Sequence, residues 1–364
     1  MKNLRWLAVT IISTIIFLLI VVSVNFCIDT YGVRSNLFCL DKVQYNSTTT
    51  CSTEMNRRIS NLEYILQNPF HFDSFIFGSS RMWVIDASKI NSGRYYNMSY
   101  AGGLPVEHLA MVKALLKKGV RIKSVIIGLD EFSFNAPPEK DKKQLVYIMH
   151  PFITGKSLVY VFYQYYFRIP KLVEISKAID RLSGRTRESK CVTDQNGFNI
   201  GWLDKEKTII ISGKSSFARQ EVKYHSITYD SKELNVVLNE INELILLSRK
   251  NNFSLIFFIN PIYSQYYTLD AAGLYTIKEK LAQITDYYDF SGLNSVTTND
   301  LSFLDDIHYR YLVGDMIIKR IFGFGDINIP DDFGVLVTKN NVENHVNKQK
   351  LEMKKYMANK ESMQ

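Results

Sequence analysis

The longest apolar stretch of the chain comes first. Residues 6–28, 23 positions, carry no charge and are dominated by Ile, Leu, Val and Phe. About 20 apolar residues in a helix cross a bilayer, so this run predicts one N-terminal transmembrane helix. A polar segment follows, then a helical pattern over 54–67. Beyond it, short apolar runs at 74–77, 124–127 and 255–259 read as strands, 94–97 is a further strand candidate, and 105–118, 233–250 and 271–284 read as helices. In the first of these helices Val106, Leu109, Val112, Ala114 and Leu116 give an apolar side, Pro105 opens the element and Gly119 closes it. Strands alternating with amphipathic helices predict an α/β fold with a mainly parallel sheet. Functional residues in such sheets gather beyond the carboxyl ends of the strands. That rule points to Gly78-Ser79-Ser80, to the segment after Asn97, and to Gly128-Leu129-Asp130.

The alternation lapses over 135–229, which reads as an inserted cap. Its aromatic block (Tyr160, Phe162, Tyr163, Tyr165, Tyr166 and Phe167) either builds the cap's own core or presents an apolar surface to the membrane or a membrane partner. The pattern thus divides the chain into an anchor (1–28), a juxtamembrane linker and helix (29–70), an α/β domain (71–325) and a polar Lys-rich tail (326–364). From Lys339 onward the tail reads as a solvated helix or as disordered chain.

Composition is that of a globular protein, with 46% hydrophobic and 22% charged residues. The net charge of +8 (44 Lys and Arg against 36 Asp and Glu) invites a nucleic-acid reading. Residues 339–364, however, hold six Lys and three Glu, and the rest of the excess is dispersed with no basic stripe, so no nucleic-acid partner is expected. Lys2 and Arg5 precede the apolar run. The positive-inside rule then gives a single-pass protein with its N-terminus in the cytoplasm and its main domain periplasmic or extracellular. A cleaved signal peptide is the alternative, but the run is long for one and only Val21-Val22-Ser23 approaches a cleavage site. Phe26 before Cys27 disfavours a lipoprotein. Cys39 and Cys51 flank a polar stretch compatible with a short disulfide loop in an exported domain; Cys191 is distant, and no C-x-x-C pair exists. Sequons stand at Asn46, Asn97 and Asn252.

Two short motifs carry the candidate chemistry. Phe77-Gly78-Ser79-Ser80-Arg81 sets a serine at a strand-to-helix turn, where a hydroxyl is lifted above the sheet and a helix N-terminus can stabilise negative charge. Near the end of the domain, Asp305-Asp306-Ile307-His308 lets one turn supply both a base and its orienting carboxylate. His71, His108, His150, His225 and His345 have no metal-ligand spacing, so neither a metal nor another cofactor is expected. Arg81 either starts a helix or holds an anionic substrate group. His108 follows the Gly102-Gly103 turn and is a second pocket candidate, and Tyr309 is expected to pack beside His308.

These segments, in this order, resemble the SGNH/GDSL hydrolase superfamily. Gly78-Ser79-Ser80-Arg81 is similar to its first block, with Ser80 in the nucleophile position and Ser79 replacing an aspartate. Asn97 through Gly102 is similar to the second, whose glycine N–H is an oxyanion donor; Asp305 and His308 match the last. Taken with Gly128-Leu129-Asp130 and Asp305-Asp306-Ile307-His308-Tyr309, the pattern resembles membrane-anchored bacterial accessory proteins of polysaccharide and cell-wall polymer O-acylation. The resemblance covers about 71–320 by motif order and implies a three-layer, flavodoxin-like fold. It also implies catalysis by Ser80, His308 and Asp305, with oxyanion donors at Ser80 and Gly102. The activity implied is a serine esterase or O-acyltransferase, acetyl being the expected group, acting on cell-envelope carbohydrate beside a multipass membrane O-acyltransferase. Asp130 departs from the pattern, because the family places an oxyanion-donating asparagine there. An ionised carboxylate would oppose the oxyanion, and losing one donor costs about 2.7–4 kcal/mol. Asp130 is therefore protonated, turned toward Arg81 or another donor, or part of different chemistry. The alternative is a catalytically degraded SGNH fold serving as a binding or scaffold partner of that acyltransferase.

Overall fold

The computed structural model describes residues 2–38, 55–135, 144–183, 193–215, 217, 230–323 and 325–362. Cys39, Cys51, Cys191 and Asn46 lie outside them. In chain order the helices begin with α1 (Lys2–Ile28), α2 (Val33–Leu37) and α3 (Arg57–Gln67). Strands β1 (Ser74–Phe77) and β2 (Tyr95–Asn97) follow, then α4 (Pro105–Lys117) and β3 (Ser124–Leu129). Next come α5 (Pro151–Thr154), α6 (Leu158–Tyr166), α7 (Leu172–Leu182), α8 (Leu203–Ser212) and α9 (Ser231–Asn251). The chain continues through β4 (Ser254–Ile259), α10 (Ser264–Leu281), β5 (Tyr287–Asp289), α11 (Tyr311–Phe322), β6 (Val335–Val337) and α12 (Val342–Ser362).

The contacts divide the chain into two units. The first comprises residues 1–67 and 138–192, the second 68–137 and 193–364. The expected single insertion over 135–229 is therefore split near residue 192. Its first part joins the N-terminal segment because Val161, Tyr165 and Tyr166 of α6 share a buried cluster with Tyr31, Val33 and Ile59. Asn56 fastens this unit with hydrogen bonds to Leu145 O, Ile148 O and the Tyr165 hydroxyl at 2.8–2.9 Å. Helix α1 is long and apolar enough to cross a membrane, with a mean hydropathy of 2.9 in an 18-residue window within Leu4–Ile28, a property a signal sequence shares.

The second unit is a mixed α/β structure around a six-stranded sheet of order β2-β1-β3-β4-β5-β6. Strands β1 to β5 are parallel, and β6 is antiparallel to β5. Register runs from Ser74 opposite Ser124 to Phe77 opposite Ile127, and from Ser124 opposite Ser254 to Leu129 opposite Ile259. Strands β1 and β3 are buried at every residue, as expected of central parallel strands covered on both faces. The order of the first five strands is one of the two common doubly wound arrangements, and it reverses beside β1, between β1 and β3. The carboxyl ends of those two strands therefore open onto the crevice where ligands bind in such sheets.

Of the two readings of the Lys-rich tail, the helical one is met: α12 is a largely exposed helix that buries Val342, Val346 and Gln349, and β6 ahead of it extends the sheet. Polar contacts add to this docking. The Asp289 carboxylate at the end of β5 receives Lys278 Nζ at 2.9 Å and His345 Nε2 at 2.7 Å, while Lys278 also donates to Gln349 Oε1 at 2.7 Å. The Asn97 sequon is no glycan acceptor in the fold. Asn97 is buried, its Nδ2 donating to Met82 O and Ile85 O and its Oδ1 accepting from Ser99.

Candidate active site

Strand β1 ends at Phe77, and the chain turns through Gly78 and Ser79 into a single 3-10 turn over Ser80–Val84. Gly78 has φ +150°, and a Cβ there would collide with Met82 Cγ and sit 3.0 Å from Gly128 O, so only glycine fits between β1 and β3. Ser79 caps the turn by accepting from Arg81 N at 3.2 Å. Ser80 is left half-buried at the carboxyl end of β1. The element after it is too short to carry a macrodipole. What it offers an anion is the Ser80 N–H, which, at the start of the turn, has no intrahelical partner.

The base arrives from the other end of the domain. Phe303 and Tyr309 form an antiparallel bridge, and Leu304 N donates to His308 O at 2.7 Å, closing the D-x-x-H segment into a tight loop. Within it Asp305 Oδ1 accepts from Ile307 N at 3.0 Å, His308 N at 2.8 Å and His308 Nδ1 at 2.9 Å. With Nδ1–H given to Asp305, the imidazole turns its Nε2 lone pair toward Ser80 Oγ, 2.9 Å away. Burial pushes the Asp305 carboxyl up, but the His308 side chain and the two backbone N–H groups outweigh it and hold the pKa at about 2. Asp305 is thus an anion wherever the protein is folded and near neutral. Ser80, His308 and Asp305, predicted as one set, stand in line.

Gly102 follows β2 and adopts φ +58°, a conformation glycine takes without steric cost. His108 is no pocket residue: it is buried, its Nδ1 lies 2.8 Å from the Tyr100 hydroxyl, and its ring packs against Phe77. It supports the Gly102-Gly103 turn from beneath, since a Cβ on Gly103 would come within 2.9 Å of His108 Cε1.

Arg81 and Asp130 meet each other. The Arg81 guanidinium is buried and donates to Asp130 Oδ1 at 2.8 Å and to both Glu131 oxygens, with Nε on Ile307 O at 3.0 Å. Burial disfavours its charge, yet Glu131 and Asp130 more than offset this and raise its pKa. Asp130 Oδ1 also accepts from Asn260 Nδ2 at 3.0 Å, and Asn260 Oδ1 accepts from the Tyr309 hydroxyl at 3.0 Å. Burial pushes the Asp130 carboxyl up, against the pull of Arg81. Of the three options open to Asp130, this geometry takes the turn toward Arg81. Through Ile307 O, the same guanidinium ties the serine turn to the histidine loop.

Several site residues lie where the sequence pattern is silent. Trp202 stacks its ring 4.8 Å from His308 and 5.4 Å from Trp83, and both tryptophans are half-buried. Lys205 Nζ is 3.7 Å from Asp305 Oδ2. Helix α8, which carries Lys205, is fixed to the histidine loop by a buried pair, Glu206 with Arg310, at 2.9–3.0 Å. The only signal in the sequence was the presence of two of the chain's three tryptophans, at positions 83 and 202. Among the described residues, no three His, Cys, Asp or Glu side chains converge to hold a metal ion. No protein-family model and no curated protein matches the chain.

Proposed function

We propose that the protein is a membrane-anchored, extracytoplasmic serine esterase or O-acyltransferase of the SGNH type, acting on cell-envelope carbohydrate. The observation that carries this reading is the continuous hydrogen-bonded line from Ser80 Oγ through His308 to Asp305. Ser80 Oγ attacks the carbonyl carbon of an acyl ester as its proton passes to His308 Nε2. Asp305 holds the imidazole in the right tautomer and stabilises the imidazolium. The tetrahedral oxyanion draws on the backbone N–H groups of Ser80 and Gly102. Collapse leaves acyl-Ser80 and an alcohol that takes its proton from His308. Water or a sugar hydroxyl then attacks the acyl-enzyme, with His308 again as base.

The strand order and the placement of Ser80, Gly102 and Asp130 at strand ends support the SGNH reading. Half-buried Trp202 beside His308, with half-buried Trp83 next to it, puts aromatic rings at the site, which supports a carbohydrate acceptor. Acetyl as the group, and a multipass membrane O-acyltransferase as companion, rest on the family resemblance. For the membrane, Val22, Asn25 and Phe26 of α1 pack into the core of the first unit. Cleavage after Ser23 would remove part of that contact, which supports α1 as a retained anchor. Lys2 and Arg5 support a cytoplasmic N-terminus.

Asp130 in place of the family's asparagine favours a second reading, a catalytically inert scaffold for the acyltransferase. Turnover separates the two. Full-length protein in detergent should hydrolyse p-nitrophenyl acetate, and Ser80→Ala should lower kcat/KM by about 10³-fold or more. Equal turnover by both proteins would defeat the enzymatic reading. Polymer acylation that survives Ser80→Ala but is lost on gene deletion would select the scaffold.

A further inference from the structure

The aromatic segment of the first unit divides residue by residue. Val161, Tyr165 and Tyr166 are buried and Phe162 packs against them, whereas Tyr163 points outward. From Leu158 to Val173 the exposed residues are Leu158, Val159, Tyr160, Tyr163, Phe167, Ile169, Lys171, Leu172 and Val173, so all but one are aliphatic or aromatic. Val159 and Ile169 are 79% exposed and Leu172 is 85% exposed. Water does not favour such a surface, and contiguous apolar patches on soluble proteins mark contact with a protein or a membrane.

What covers it follows from where α1 holds it. Helix α1 packs against α6 and α7 at its C-terminal end: Phe26 stacks on Tyr166 at 5.3 Å, and Asn25 Nδ2 donates to Tyr166 O at 3.0 Å and Arg168 O at 2.6 Å. A helix of 25 residues is about 37 Å long at 1.5 Å per residue. The hydrocarbon core is only about 30 Å thick, so the last turn or two of α1 lie at the bilayer boundary. The α6–α7 face is thereby held at that boundary. Its composition suits the place, with Tyr160, Tyr163 and Phe167 as interfacial aromatics. Lys171 is the one exposed charge within it, and at its start Lys156 lies with Nζ 4.5 Å from the Tyr160 ring centre. Long cationic side chains of this kind reach headgroups while their stems stay apolar.

We infer that α6 and α7 lie in the plane of the membrane around the outer end of α1, immersing Leu158, Val159, Tyr163, Ile169 and Leu172 in the headgroup–acyl boundary, with lipid as the partner of this face. The inference rests on α1 being a retained membrane span and is independent of the chemistry at Ser80. Its consequence is a fixed pose: one helix alone leaves the first unit free to tilt, and a second, in-plane contact stops that motion.

The test uses the full-length protein reconstituted in phosphatidylethanolamine–phosphatidylglycerol vesicles. A nitroxide on a genetically encoded keto amino acid replaces Ile12, Val159, Leu172 or Lys207 in turn, leaving the native cysteines in place. Collision with oxygen is compared with collision with a water-soluble nickel chelate. The expected result is oxygen-dominated relaxation at positions 12, 159 and 172, and nickel-dominated relaxation at 207. Nickel-dominated relaxation at 159 and 172, with 12 still lipid-like, overturns the inference alone. Shielding of 159 and 172 from both reagents overturns it in favour of a protein partner. A water-like signal at 12 overturns the membrane span beneath it.

Discussion

At the scale of single residues, the two serines after Gly78 have distinct tasks. Ser79 caps the turn and Ser80 faces His308. The turn pattern pointed to a serine here, the family resemblance picked Ser80 out of the pair, and the capping by Ser79 is visible only in the fold. The fate of Asp130 was not legible. It depends on Arg81, Glu131 and Asn260, which come from the turn after β1, the segment after β3 and the end of β4. A carboxylate shared by buried donors from two other strand ends has no local pattern. Because Arg81 and Asn260 both engage its Oδ1, Asp130 is not counted among the proposed oxyanion donors. Asp130→Asn should therefore change kcat/KM for p-nitrophenyl acetate by less than about ten-fold, where loss of an oxyanion donor costs about 10²–10³. Glu131 remains on Arg81 in that variant, and a gain of 10² or more, as an asparagine donor replacing a carboxylate that faces the oxyanion would give, would place position 130 in the oxyanion site.

At the scale of elements, the strands that end at the site were readable and those at the far edge were not. Strands β1, β3 and β4 are continuous apolar runs, because a central parallel strand is covered on both faces. Strands β5 and β6 have three residues each, too few for any period to show. Helix α10 begins seven residues ahead of the expected position because its first turns, around Tyr266 and Tyr267, are aromatic rather than aliphatic. Helix α12 is polar apart from a short apolar contact at Val342 and Val346, and a buried charge cluster adds to its docking. Burial pushes the Asp289 carboxyl up, but Lys278 and His345 override it and leave the pKa well below the carboxylate range. A carboxylate so depressed contributes stability that is present above about pH 4, the unfolded value, and is lost as pH falls through the lower folded one. Asp289→Asn leaves Lys278 buried without its counter-charge and should cost about 3–5 kcal/mol in denaturant unfolding at pH 7. The gap between wild type and variant should narrow as pH drops below about 4. A gap that is constant with pH would show that Asp289 acts through shape rather than charge.

At the scale of the whole molecule, the N-terminal apolar helix and the α/β domain were legible because their signals are local: 23 uncharged residues, and strands alternating with helices. The division at residue 192 was not, since it depends on which partner buries the apolar face of α6. Nor was α8, which brings Trp202 and Lys205 to His308 from a stretch without strand or helix rhythm. The hydrogen-bonded line itself joins residues 228 positions apart, Ser80 and His308, and each half is readable only as a short motif. Its meaning comes from their meeting. The most direct measurement of that meeting is peptide mapping by mass spectrometry of the full-length protein after treatment with a fluorophosphonate. The account predicts one adduct, on Ser80, absent in Ser80→Ala and formed far more slowly in His308→Gln. No adduct, or an adduct whose rate ignores both substitutions, would contradict it.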